Sequence, residues 1–398
     1  MDFSLTPEQE ALRKEFDEFF AEEERRSPPG WVAAGPEGQF LKDEWWAYHR
    51  SVAVKLGKKR WLTLHWPKEF GGMNHGPVEQ LMFAENRRYH RVPGVDNQGP
   101  GTVAAALMLH GTKEQQNEWL PPIANGDINW GECFSEPNAG SDLASLTTRA
   151  VEDGDDYVLN GQKTWTSGGH RADHFFILAR TDPNLPRHRG LSYFLTRKDA
   201  PGIEVRPILS MNRTHARNEV FFDNLRISKR NLIGEVNRGW YLIMGGRNLN
   251  RAGAASIVGE MRRDLEDLVQ FCRETQRGGR ALAQEPVVRH RLAELALEVE
   301  AARQWAYYVA WLQSKGVLVA GEAASSKSFA TELAIRLSNV AVEIMGLYGT
   351  LKEGSKWVQL SGRFEALCQE NLGFAIAGGT TEIQKNIVAW MKLGLPRS

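Results

Sequence analysis

The chain has 398 residues, 42% apolar and 25% charged, and its Lys plus Arg (49) equal its Asp plus Glu (49). That is enough apolar material for a large core in roughly two or three domains, and the charge balance excludes an overall field that would draw in nucleic acid or an anionic membrane. Three widely spaced cysteines, Cys133, Cys272 and Cys368, without a CxxC, an HExxH or a His/Cys cluster, argue against a disulfide framework and a zinc site and point to a reducing, cytoplasmic setting.

The start, Met1-Asp2-Phe3-Ser4-Leu5, is acidic and lacks the apolar stretch of a signal peptide. Runs such as Val103 to Leu109 fall far short of the roughly 20 apolar residues that cross a bilayer, so no membrane insertion is expected. Residues 1–128 read as a helical domain. Thr6-Pro7-Glu8-Gln9 has the form of a capping box with proline at the first helical position, and Leu12, Phe16, Phe19 and Phe20 follow at helical spacing. Trp66 to Gly72 reads as a turn, and Thr112 to Leu120 as a short helix stopped by Pro121-Pro122. Trp31, Trp45, Trp46, Trp61, Trp66, Trp119 and Trp130 crowd this third of the chain, and core filling is their first explanation.

From 129 to 238 the period shortens to that of strands. Tyr157-Val158-Leu159 meets Asn160-Gly161, which has the composition of a hairpin turn. His174 to Ala179, Leu191 to Thr196, Ile203 to Ile208 and Glu219 to Ile227 follow as β-rich runs, which suggests a compact antiparallel barrel or sandwich. From 239 to 398 helices return. Ile257, Met261, Leu265, Leu268 and Cys272 form one apolar stripe, Leu292, Leu295, Val299 and Ala302 a second, and Ala330, Ala334, Leu337 and Ala341 a third, as in a four-helix bundle. The class is α+β, in the order helices, β domain, helices. Neither GxGxxG after a strand nor GxxxxGK[ST] occurs, so a Rossmann unit or P-loop is unsupported.

Two segments carry chemistry. Cys133-Phe134-Ser135-Glu136-Pro137-Asn138-Ala139-Gly140-Ser141-Asp142 is a loop of small, hydroxyl-bearing and acidic residues leaving a strand. It can offer backbone N–H groups and two hydroxyls to a polar ring edge or a phosphate. Asn160-Gly161-Gln162-Lys163-Thr164-Trp165-Thr166-Ser167-Gly168-Gly169 then places an aromatic beside a hydroxyl. Either alone reads as an ordinary loop or hairpin; together, between two helical regions, they are distinctive.

These segments resemble the signature regions of the acyl-CoA dehydrogenase family, and the order of domains matches it from Phe3 to Pro396. The resemblance implies an extended FAD and an acyl-CoA thioester stacked on its flavin, with electrons passed to an electron-transfer flavoprotein. It implies that Phe134 and Ser135 meet the flavin through backbone and hydroxyl, that Trp165 packs along the isoalloxazine, and that Ser167 hydrogen-bonds near N5. Ser141 would contact the pantetheine or phosphate end of the CoA. Gly378-Gly379-Thr380-Thr381-Glu382 resembles the family's closing motif, where Gly379, Thr380 and Glu382 would lie against the FAD phosphates and ribose. Lys327-Ser328-Phe329 and Gly346-Leu347-Tyr348-Gly349 fall at family-like places.

The sequence also departs from that pattern. The family carries its catalytic base either before the Gly-Thr of the closing motif, which is Gly378 here, or before an Arg early in the C-terminal helices, which is Asn250 before Arg251. Arg251 is kept and would anchor substrate; neither base position holds a carboxylate. The segment Thr275 to Arg280 lacks the Phe of the arm that reaches a neighbour's FAD, and Glu343 stands where a Gln touches the adenine end. The resemblance implies a homo- or hetero-oligomer, dimer or tetramer, and three explanations for the missing base arise: a heteromer in which a second, distinct dehydrogenase-like subunit supplies it; a reaction of the flavin monooxygenase or oxidase type; or a substitute carboxylate such as Asp96 or Glu85, both expected on solvated surfaces. A catalytically silent structural subunit is the contrasting reading.

Overall fold

The computed structural model describes residues 4–96, 98–249 and 257–397. Helices come first: α1 (Pro7–Arg25), α2 (Asp43–Lys58), α3 (Pro77–Tyr89), α4 (Ala104–His110) and α5 (Lys113–Asn125). The capping box is present at α1, where Thr6 Oγ1 accepts from Gln9 N at 3.3 Å and Gln9 Oε1 accepts from Thr6 N at 3.0 Å. Thr112 and Gln115 repeat it at α5. This helix does not stop at Pro121-Pro122; it runs through both prolines to Asn125. An interior proline costs about 3 kcal/mol or more, but burial of Trp119, Leu120 and Ile123 in the core offsets it, and Gly126 in the left-handed region ends the helix instead.

The strands follow as β1 (Trp130–Cys133), β2 (Arg149–Asp153), β3 (Asp156–Lys163), β4 (His174–Arg180), β5 (Leu191–Arg197), β6 (Ile203–Ile208), β7 (Arg217–Ser228) and β8 (Leu232–Ile233). They form one eight-stranded sheet in the order β6-β7-β3-β2-β4-β5-β8, with β1 beside β4. Most pairs are antiparallel; β1 and β2 each pair with β4 in parallel. Asn160-Gly161 is not a turn. Strand β3 continues through it against β7, with a bulge between Leu159 and Gly161. The tight hairpin lies earlier, at Gly154-Asp155 between the paired Asp153 and Asp156, and Gly154 takes the φ of 60° that the turn requires. Pairing along the whole of β7 outweighs the local turn preference of Asn-Gly.

Side chains along β4 alternate between two cores. Phe175, Ile177 and Ala179 pack with Leu159, Val220 and Phe222, while Phe176 and Leu178 pack with Trp119, Trp130 and Tyr193. Burial on both faces explains why His174 to Ala179 is nearly continuously apolar. Trp31, Trp45, Trp61, Trp66, Trp119 and Trp130 are buried, as core filling predicts, while Trp46 is half-buried and stacks on His49 at 4.9 Å.

Next come α6 (Gly239–Leu249), α7 (Ile257–Glu274), a short hairpin of β9 (Gln276–Arg277) and β10 (Arg280–Ala281), α8 (Pro286–Ser314), α9 (Ala320–Met345), α10 (Arg363–Ile376) and α11 (Thr381–Ile387). The three predicted stripes of α7, α8 and α9 join Phe364 and Leu367 of α10 in one core. Among the described residues no helix is long and apolar enough to cross a membrane.

The chain forms two compact units, Met1–Pro36 with His75–Pro93 and Arg251–Ser398, and Glu37–Asn74 with Gly94–Asn250. In the first, Phe16 and Phe20 of α1 pack edge-on or tilted against Phe83 of α3 at 5.4 and 5.5 Å. Arg363, buried at the start of α10, donates to Asp264 Oδ1 at 2.5 Å, Glu260 Oε1 at 2.7 Å and Ala34 O at 2.7 Å. Without Arg363 the two acids keep other cations, Asp264 pairing with Arg91 at 2.5 Å and Glu260 with Arg88 at 3.2 Å, so the loss is that of the Arg363 hydrogen bonds to charged groups. Arg363→Met is therefore expected to cost about 1.5–3 kcal/mol, read as a lower urea midpoint at unchanged slope; a loss below about 0.5 kcal/mol contradicts this account.

Candidate functional site

In the second unit the loop after β1 and the turn after β3 are fastened to each other. Lys163, wholly buried at the end of β3, donates to Glu136 Oε1 at 2.9 Å and to Phe134 O at 3.0 Å. The Glu136 carboxylate also accepts from Thr147 N at 2.7 Å, Thr147 Oγ1 at 2.9 Å and Thr148 N at 2.8 Å. Burial alone would raise its pKa, but the Lys163 ammonium and these donors outweigh it and hold the group at about 2. Thr164 N donates to Ser135 O at 2.9 Å and closes the junction.

This frame decides what the predicted residues offer. The Phe134 ring is 2% exposed and packs on Phe176 at 5.2 Å, so only its backbone faces a ligand, with its carbonyl already taken by Lys163. Ser135 is half-buried, and among the described residues its hydroxyl has no hydrogen-bond partner. Trp165 is 60% exposed and sits at a φ of 65°. A bulky residue in that region carries strain of order 1–3 kcal/mol, which persists only where the surroundings enforce it. Here they do: Thr166 N donates to Asn218 O at 3.0 Å, Asn218 Nδ2 to Thr166 O at 2.9 Å, and Thr166 Oγ1 to Glu132 O at 2.8 Å. The ring is thus left exposed on a turn braced by its neighbour.

Ser167, also exposed, donates its hydroxyl proton to Glu37 Oε1 at 2.7 Å, and Glu37 Oε2 pairs with Arg217 at 2.8 Å. Sequence reasoning missed both Glu37 and Arg217, since each lies far from the motif along the chain and carries no local signal. Ser141 is exposed at the far end of the first loop. Beside it Asp142 pairs with Arg187 at 2.6 Å, and Arg180 holds the loop through Ala144 O at 2.7 Å and Leu146 O at 3.1 Å. The group implied by the resemblance fits these residues in chemistry: a large exposed ring, a free hydroxyl and a small-residue loop lie on two segments fastened to each other by Thr164 N, which donates to Ser135 O at 2.9 Å, and by Lys163.

In the first unit, Gly378 and Gly379 form the turn between α10 and α11. Thr380 caps α11 by accepting from Ile383 N at 3.3 Å, and Glu382 is exposed. An exposed carboxylate suits ribose hydroxyls and repels phosphate. Lys327, noticed in the sequence without a role, donates to Ala375 O at 3.0 Å and Gly379 O at 2.9 Å, so it braces this turn. Burial lowers its pKa to about 8, against the opposing pull of Glu382.

No carboxylate stands at Gly378, and Asn250 and Arg251 lie outside the described residues. The expectation that Asp96 and Glu85 are solvated is overturned. Asp96 accepts from Gln98 N at 3.0 Å, Gly99 N at 3.1 Å and Trp130 N at 2.9 Å, and burial pushes it up to about 6. Glu85, 4% exposed, accepts from Arg303 at 2.5 Å and Tyr307 at 2.6 Å. Both are committed to folding contacts because each satisfies donors that would otherwise be buried unpaired. At the missing arm, the short hairpin is exposed and Arg277 reaches Ile344 O at 2.7 Å, while Glu343 pairs with Arg291.

A helical N-terminal part, a mostly antiparallel middle sheet and C-terminal helices define a flavoprotein dehydrogenase architecture. Comparison agrees along the chain: residues 6–127 match the acyl-CoA dehydrogenase N-terminal domain, 131–225 the middle domain and 237–392 the C-terminal domain. Acyl-CoA dehydrogenase FadE26 of Mycobacterium tuberculosis is 34% identical over 411 aligned positions covering 100% of both chains. Two solved structures, the Tcur3481-Tcur3483 steroid ACAD and the ChsE4-ChsE5 complex from Mycobacterium tuberculosis, each superpose with a TM-score of 0.89 over 100% of both chains, at 32% and 33% identity. The chain belongs to the acyl-CoA dehydrogenase family.

Proposed function

We propose that this chain binds FAD across the Ser135–Trp165 face and takes part in α,β-dehydrogenation of an acyl-CoA thioester within a mixed oligomer, passing the electrons to an external electron-transfer flavoprotein. The observation that carries this is Trp165, a large ring held in a strained conformation and left 60% exposed. Such a ring gives up apolar burial for nothing unless a flat ligand covers it.

Bound flavin supplies the two-electron acceptor. The chain's own residues supply position and shielding. Trp165 covers one face of the ring, Ser135 directs its hydroxyl at a polar edge, and Ser141 receives the CoA portion of the thioester. Proton removal at the α-carbon needs a carboxylate, worth typically about 10²–10⁴-fold. Gly378 and Asn250 provide none, and Asp96 and Glu85 are occupied. The reading in which a second, distinct dehydrogenase-like chain completes the site follows, and likeness to the ChsE4-ChsE5 complex over the full length supports it. Likeness to a steroid ACAD supports a bulky acyl group.

The test is the visible spectrum of the protein, alone and co-expressed with a companion dehydrogenase-like chain. Flavin bands are expected, and Trp165→Ala should weaken FAD binding roughly 5- to 30-fold through loss of ring contact worth about 1–2 kcal/mol. A protein colourless in both forms would make the chain a silent structural subunit. Rapid reoxidation of its reduced flavin by oxygen would favour the monooxygenase or oxidase reading.

A further inference from the structure

Glu37 is the residue of this face that the proposed reaction leaves unused. It precedes the short turn Gly38–Phe40, which rests on the Trp165 turn through Phe40: the Phe40 ring meets His170 edge-on at 6.4 Å, and His170 Nε2 donates to Phe40 O at 3.2 Å. Its carboxylate is only 17% exposed and is held from both sides, by the Ser167 hydroxyl at 2.7 Å and by Arg217 at 2.8 Å, with Arg217 also reaching Ser210 Oγ at 3.2 Å. The carboxylate is therefore fixed in place, and so is the hydroxyl that touches it.

A serine hydroxyl has one proton. Ser167 spends it on Glu37, and can turn only lone pairs toward a ligand. Oxidised flavin presents N5 as an acceptor, which faces those lone pairs without a proton between them. Reduced flavin carries N5–H, which Ser167 Oγ accepts. We propose that Glu37 is a positioning residue that fixes the Ser167 hydroxyl as an acceptor toward the flavin, stabilising the reduced form over the oxidised one. This rests on the placement of flavin beside Trp165 and Ser167 given above.

Charge and hydrogen-bond polarity make opposite forecasts for one substitution. In Glu37→Gln, Arg217 has only donors, so the new amide turns its carbonyl to Arg217 and its NH2 to Ser167. The hydroxyl then accepts from the amide and donates outward, favouring oxidised flavin. Loss of a negative charge alone would do the reverse and favour the electron-rich reduced flavin. The flavin midpoint potential of the FAD-loaded protein, with its companion chain if one is needed, separates them.

The expected result is a roughly tenfold fall in the reduced-to-oxidised ratio at fixed potential, a midpoint lowered by about 30 mV for a two-electron couple. The same substitution in a Ser167→Ala background should no longer lower the midpoint, because only the opposite effect of the lost charge remains, whereas Ser167→Thr, which keeps the hydroxyl, should preserve the fall. A midpoint that is unchanged or raised in flavin-loaded Glu37→Gln overturns the proposal, as does a fall that survives in Ser167→Ala. Wild-type protein without flavin bands overturns the underlying reading instead, and this one with it.

Discussion

Lys163→Met is expected to destabilise the protein by about 3–5 kcal/mol, because it leaves Glu136 charged and buried without its ion-pair partner. It also removes the donor to Phe134 O, so the loop bearing Ser135 loosens at the same moment. The loss should depend on pH. The folded Glu136 carboxyl titrates at about 2, below its ordinary value of 4.5, so the stability that it lends is present above pH 4.5 and is lost as the pH falls toward 2. The difference between Lys163→Met and wild type should accordingly be full near neutrality and shrink under acid, where a protonated Glu136 needs no partner. Urea titrations at neutral pH and at about pH 3 measure this; a difference that is small at neutrality, or that grows under acid, refutes the assignment of Lys163–Glu136 as the brace of the site.

Gly378→Glu is expected to raise the rate at which an acyl-CoA bleaches the flavin of the isolated chain by about 10²–10⁴-fold, the usual worth of a positioned general base. Space permits it: an added Cβ at Gly378 would meet no atom of the chain within 4 Å. The φ of 69° opposes it modestly, since a non-glycine residue there costs of order 1 kcal/mol. With the base in place, turnover should also cease to depend on a companion chain. The measurement is anaerobic single-turnover reduction in wild type and variant, each loaded with flavin to the same extent. Equal rates would show that Gly378 is not where the missing carboxylate belongs.

Much of the fold was legible in the sequence because it depends on local periodicity. The stripes of α7, α8 and α9 recur at helical spacing, and all three converge in one core. The runs at β4 to β7 were readable for the same reason. Where a local rule failed, a longer-range one had won. Pro121 and Pro122 lie inside α5 because Trp119, Leu120 and Ile123 are buried on either side of them. Asn160-Gly161 is a bulge because β7 pairs along its whole length. Asp96 and Glu85 were expected at the surface, yet the donors that bury them arrive from Trp130 and from Arg303 and Tyr307.

The sequence by itself singled out the candidate ligand-facing segments: the serine loop, the tryptophan turn and the closing glycines are contiguous motifs, and contiguity can be read from a string. It also showed the missing carboxylates, since an absent side chain is visible without coordinates. Only the tertiary structure decided how those residues are held and charged. Glu37 reaches Ser167 across 130 residues and is fixed there by Arg217, and Glu136 finds its cation on another strand. Hydrogen bonds and ion pairs act over about 3 Å in space regardless of separation along the chain, so the polarity of the site belongs to the fold.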